Sequence, residues 1–151
     1  MASQPRRRPP AERRPKKRRK RGRSDLGARI IAAAPAVAFA VFITVEGGLV
    51  FAIGLFIVGA LSLAELFKLT ARANPVPLAG YVGLLGLLLA AHYGHQFQIL
   101  LVFVACVPLT FLLALAKQDR ENASWGMAAT LLGITWIGLA LAHAVLLRQL
   151  P

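Results

Sequence analysis

Acidic residues are scarce in this chain: aspartate and glutamate together number 6, against 18 lysines and arginines. No carboxylate cluster that could hold a metal is present, and no carboxylate pair or Ser/His/Asp set lies at a depth suited to catalysis. Cys106 is the sole cysteine. That excludes an intrachain disulfide and a thiolate metal cluster, and its apolar surroundings suit a buried structural thiol. Neither Gly-x-x-x-x-Gly-Lys-Ser/Thr nor Gly-x-Gly-x-x-Gly occurs, so the phosphate-cradling loops of nucleotide-binding folds are absent. Charged residues amount to only 16% while hydrophobic ones reach 57%, with a mean hydropathy of +0.61. Such a balance excludes a soluble domain and implies an integral membrane protein.

The charge that is present is segregated. Residues 1–29 carry most of the net +12, in two basic runs, with four prolines and no aromatic residue. This composition predicts a disordered, solvated cytoplasmic tail that touches anionic phospholipid, each basic residue near the surface contributing about 1 kcal/mol. So many cations would also release counterions from nucleic acid. Without aromatics there is no stacking platform, so nucleic acid is not the expected partner.

Five apolar stretches follow, at residues 30–45, 49–68, 78–93, 97–116 and 125–147. The first is preceded by a tail too long for a signal peptide and ends in Glu46-Gly47-Gly48 without a small-residue cleavage site, so it reads as an uncleaved span. Its 16 residues cover only about 24 Å, which places the helix start nearer Leu26 or requires local thinning of the membrane. Asn74-Pro75-Val76-Pro77 breaks the chain after the second span. Pro108 should kink the fourth, and Asn122 or Ser124 can cap the fifth. Small residues at Ala32, Ala36 and Ala40, and at Ala129, Gly133, Gly138 and Ala142, suit close helix packing, and Gly80, Gly83 and Gly86 line an edge where another helix could approach. Trp125 suits an interfacial belt, whereas Trp136, deeper in its span, is expected to fill a helix contact.

The connections alternate between basic and non-basic: Lys68 and Arg72, then none near His92, then Lys117 and Arg120, with Arg148 near the end. The positive-inside rule therefore gives an all-α polytopic membrane protein of about five transmembrane helices. It lies in the inner (plasma) membrane with its N-terminus cytoplasmic. An odd number of spans closing on Arg-Gln-Leu-Pro suggests a truncated chain. Oligomerisation is compatible with the small-residue ridges.

Two groups of residues invite a functional reading. Ser62, Glu65 and Lys68 recur every third residue at the inner end of the second span, with Arg72 beyond them. A carboxylate within hydrocarbon is costly, so Glu65 is read as an intramembrane polar anchor, compensated by an ion pair with Lys68 or a hydrogen bond from Ser62. Near the opposite face lie Glu46, His92, His95 and His143. His92 and His95 have a spacing that can chelate a metal, but interfacial histidines are more often boundary residues, and no metal site is assigned.

Several passages resemble the N-terminal half of bacterial phosphatidate cytidylyltransferases, the CDP-diacylglycerol synthases. They are the Arg29-Ile30-Ile31 entry to the first span, the hairpin at Glu46-Gly47-Gly48, and the Ala64-Glu65-Leu66 end of the second helix. The last span, from Leu131-Leu132-Gly133 through Gly138 to Leu147-Arg148-Gln149-Leu150-Pro151, is similar to the helix that precedes the family's catalytic half. The family's signature segments are a Ser-x-x-Lys-Arg followed by Lys-Asp, a His-Gly-Gly, an Asp-Arg-x-Asp and an Asn/Gly-Asp-x-x-Ala-Tyr helix. None of them occurs here.

The resemblance thus implies the membrane scaffold of an enzyme that transfers a cytidylyl group from CTP to phosphatidate, inactive by itself. Its divalent metal, Mg, would be held by residues this chain lacks, so no catalytic residue and no cofactor are assigned to it. On this reading Arg29, Lys68 and Arg72 lie at the inner headgroup level, beside a lateral opening for lipid. Two alternatives compete: half or a subunit of a transporter, and a noncatalytic membrane protein whose basic tail binds a partner or lipid.

Overall fold

A computed structural model describes residues 24–117 and 122–149, with side chains from residue 33 onward within those stretches. The expectations for residues 1–23 and Arg120, and for the side chains of Arg29 and Ala32, lie outside what is described. By contacts the chain forms two units, Met1–Ala36 and Val37–Pro151. The described part of the first is helical, the opening stretch of α1 (Ser24–Glu46). The second holds the remainder of α1, then α2 (Gly48–Leu69), α3 (Pro77–Tyr93), α4 (Gln96–Leu115), α5 (Ala123–Gly133) and α6 (Ala140–Gln149). A 3₁₀ turn at Ala71–Ala73 follows α2, and a π-helical segment at Ile134–Leu139 joins α5 to α6.

The chain is an all-α polytopic membrane protein. Among the described residues three helical stretches, Gly48–Leu69, Gln96–Leu115 and Ala123–Gln149, are long and apolar enough to cross a membrane, and Ala33–Glu46 and Pro77–Tyr93 are shorter apolar helices. Lipid tails are as apolar as leucine, so burial from water does not drive these helices together. Close van der Waals contact and satisfied polar groups do.

The short α3 is the centre of the second unit. Its buried residues Ala79, Gly80, Gly83, Leu84, Leu87, Leu88 and Ala91 trace one broad helical stripe. A Cβ on Gly83 would stand 3.0 Å from Ile134 Cδ1 and 3.1 Å from Cys106 Sγ, so the missing side chain lets α3 meet the last span and α4 at once. Gly80 meets α2 through Phe67 and Gly86 meets α4 through Val102. A step of three residues turns about 300° around a helix, so these glycines serve different neighbours rather than one edge. Leu63, Leu84, Leu87, Ile99, Cys106 and Ile134 form the core between them.

Hydroxyl groups within the spans are satisfied locally. Ser62, Thr110, Thr130 and Thr135 each donate to the carbonyl four residues back, at 2.7 to 2.9 Å. Among the described residues no buried side-chain nitrogen or oxygen lacks a partner.

Four local expectations are corrected. Ser62 Oγ is engaged with the Val58 carbonyl, so it does not bond Glu65, and no ion pair joins Glu65 to Lys68 among the described residues. Both side chains are exposed on the helix instead. Asn122 precedes α5 in a left-handed conformation (φ 60°), without a capping bond from its side chain. The last span is not one regular α-helix, since the π-helical segment interrupts it. Within that segment Trp136 is turned outward, 77% exposed, and Ile134, fully buried, fills the helix contact in its place. Pro108 is accommodated inside α4, which continues as helix to Leu115.

Candidate functional site

At one end of the bundle the chain leaves α2, makes the 3₁₀ turn and enters α3 through Asn74-Pro75-Val76-Pro77. Two prolines remove backbone donors and set φ, so this break cannot continue as helix. Asn74 takes a left-handed conformation (φ 52°) to reverse direction. The partly buried carbonyls of the break lie outside any helix and need donors, and Lys117, just past the end of α4, donates to them. Its Nζ donates to Asn74 O at 3.2 Å, Asn74 Oδ1 at 3.0 Å and Pro75 O at 2.5 Å. The Val76 N–H donates to Thr130 Oγ1 at 2.9 Å, deep inside the protein. Gly126 closes the arrangement: a Cβ there would collide with the Asn74 carbonyl oxygen, so only glycine lets α5 lie this close.

Beside this clasp is an open groove of about 510 Å³, walled by the last turns of α2 and the start of α3. Ala64, Phe67, Lys68 and Ala71 line one side, at the i, i+3, i+4, i+7 spacing of a single helix face. Pro75, Pro77 and Tyr81 line the other, with Asn74 and Lys117 at the rim. Phe67 and Tyr81 meet edge to face, their centroids 6.0 Å apart. Gly80 makes room for that pair, since a Cβ on it would lie 2.5 Å from Phe67 Cζ.

The structure therefore divides the residues that the sequence pattern grouped. Lys68 faces the groove. Ser62 and Glu65 lie off the face that lines it, and Arg72, exposed on the 3₁₀ turn, is not among the lining residues either. Lys117 and Tyr81 belong to the groove but were not legible as site residues. Lys117 served only as a charge in a connection, and nothing in the local sequence says that it reaches back to Asn74.

The opposite end is built differently. Arg148 Nη2 donates to the Thr44 carbonyl, at the end of α1, at 2.5 Å, and the guanidinium lies 5.3 Å from the centre of the Phe51 ring. Gly47, with φ at 73°, turns the chain beneath it, and a side chain at that position would strike the guanidinium. Gln149 Nε2 donates to Ala91 O and His92 O, both at 3.3 Å.

The histidines at this end are separately engaged. The His92 ring meets Tyr93 edge to face at 4.6 Å. The His95 backbone N–H donates to Gln98 Oε1 at 2.7 Å, at the start of α4. His143 Nδ1 lies 2.8 Å from Leu139 O, and because a carbonyl only accepts, that nitrogen carries the proton. Among the described residues no three histidine, cysteine or acidic side chains gather where they could hold a metal ion.

Compared with known families, residues 27–150 match the model of the cytidylyltransferase family. No curated protein and no solved structure matches the chain.

Proposed function

The chain belongs to the cytidylyltransferase family, and from that membership we infer that it forms the N-terminal membrane scaffold of a phosphatidate cytidylyltransferase. That enzyme joins CTP and phosphatidate to give CDP-diacylglycerol and diphosphate, a step of phospholipid synthesis. The observation that carries the reading is the family match across 27–150, which takes in every helix from α1 to α6. The transfer itself needs metal and cationic clamps on the reacting phosphates. The described residues offer no donor set that fits a divalent metal, so no step of the reaction is assigned to them. The scaffold is inactive alone, and the divalent metal, CTP and the cytidylyl transfer belong to residues of the family signature.

Within the scaffold, Lys68 and Arg72 lie at the headgroup level of the inner leaflet, with Arg29 joining them by its place in the sequence. The basic tail lies in the cytoplasm and holds anionic phospholipid. A transport role is disfavoured by the hydroxyl groups of the spans, each turned back onto its own helix rather than onto a continuous polar path.

The test is a chimera in which residues 27–150 replace the corresponding region of an active cytidylyltransferase. CTP-dependent formation of CDP-diacylglycerol is expected from the chimera and not from the purified chain alone. A chimera that inserts and folds but shows no turnover would remove the scaffold reading, and turnover by the chain alone would remove the inactivity.

A further inference from the structure

We propose that the groove between α2 and α3 is a phospholipid site on the scaffold, binding a headgroup phosphate between Lys68, Lys117 and Tyr81. This deepens the reading given above and names residues that neither the sequence pattern nor the family match singles out.

The argument begins with charge. Two lysines border the groove, and among the described residues no carboxylate lines it. Glu65, the nearest acid in sequence on α2, lies off the lining face. Lys117 has its N–H donors occupied by Asn74 and Pro75. Those partners are neutral oxygens, so they fix its position while leaving its charge unpaired among the described residues. Lys68 makes no hydrogen bond or ion pair among the described residues and is exposed, which leaves its ammonium able to turn toward an anion. The Tyr81 hydroxyl likewise makes no internal hydrogen bond and can donate a further one.

The walls then decide the source of the phosphate. Ala64, Phe67, Pro75 and Pro77 are apolar, and the groove begins where α2, a helix of spanning length, runs out. An apolar wall leading up to a cationic rim fits an acyl chain joined to a headgroup phosphate. A free phosphate or nucleotide would use the rim alone. The groove is open along its side rather than enclosed, which suits a ligand that enters laterally.

The experiment uses the whole chain in nanodiscs, with photoactivatable phosphatidate, phosphatidylglycerol and phosphatidylcholine as probes and the adducts mapped by peptide. Adducts of the two anionic lipids are expected to concentrate on the peptides that carry Phe67 and Tyr81. Lys68→Gln should lower them about fivefold, the equivalent of one basic residue at a membrane surface, while Lys68→Arg retains them. Tyr81→Phe should give a smaller loss.

Equal labelling by phosphatidylcholine, or no response to Lys68→Gln, would mean ordinary boundary lipid and overturn the proposal. Displacement by inorganic phosphate or CTP would overturn it in favour of a soluble phosphate ligand. CTP turnover is not read in this experiment. An inactive chimera would leave selective labelling standing, and a groove without selectivity would leave the family's reaction untouched.

Discussion

At one end of the bundle Lys117 reaches across to the carbonyls of the α2–α3 break, and at the other Arg148 reaches across to the carbonyl of Thr44 at the end of α1. Both are long cations used as carbonyl caps, tying together segments far apart in sequence. What surrounds them differs. Around Arg148 several neighbouring polar groups are engaged: Gln149 donates to carbonyls near the end of α3, and the His95 backbone N–H and His143 Nδ1 are tied to their own helices. Around Lys117, Lys68 and Arg72 remain exposed and make no ion pair among the described residues. The Arg148 end has spent its cation on structure, whereas the Lys68 end has cations left over. A surplus of cations at a membrane boundary attracts anionic headgroups.

Replacing each cation with methionine, which keeps the length and removes the charge, probes that contrast. The largest effect on stability is expected at Lys117. Lys117→Met removes the charged donor from Pro75 O and one of the ties on Asn74, and should cost about 2 kcal/mol, the penalty for stripping a partially buried acceptor of a charged donor. Thermal or denaturant unfolding in detergent measures it. A loss no larger than that of an exposed lysine would mean that the clasp is incidental and that the prolines alone hold the break.

Arg148→Met comes next, at about 1 kcal/mol, because the guanidinium is exposed and its bond to Thr44 O and its contact with the Phe51 ring are both reachable by solvent. Arg148→Lys should recover only part of this, since a compact ammonium cannot stand over the ring and reach the carbonyl at once as the broader guanidinium does. Recovery of full stability by lysine would show that charge at this end matters and the planar fork does not.

These expectations mark how far the sequence could be read. The order of helices was legible because each apolar run is bounded by Gly, Pro or polar clusters, and Asn74-Pro75-Val76-Pro77 announces its break outright. The glycines of α3 announced close packing, although not that each would serve a different neighbour. Trp136 was misread because depth in a span does not say which way a side chain points, and a π-helical turn shifts the facing of every residue after it. The groove stayed hidden for a related reason. Ser62, Glu65 and Lys68 form a pattern along the chain, yet the face that meets α3 runs through Ala64, Phe67, Lys68 and Ala71, and apolar residues give no signal of a site. Lys117 lies just past the end of α4, 42 residues beyond Pro75, a separation at which no local pattern operates.

The smallest effect on stability is expected at Lys68, where the contrast between the two ends is sharpest. Its side chain is exposed and makes no hydrogen bond or ion pair among the described residues, so Lys68→Met should change unfolding by no more than about 0.5 kcal/mol, the usual range for a surface position away from caps and networks. A long apolar side chain at the end of a membrane helix is also well tolerated, which removes the main route by which the substitution could destabilise. Unfolding is measured in a neutral detergent, so that no bound anionic lipid contributes linkage to the wild-type value. Adding phosphatidate should then raise the stability of the wild type more than that of Lys68→Met, by the difference in their occupancy. A large loss in neutral detergent would mean that Lys68 is bound into the structure as firmly as Lys117. The two ends would then differ only in which cation does the capping, and the surplus of charge that distinguishes them would not exist.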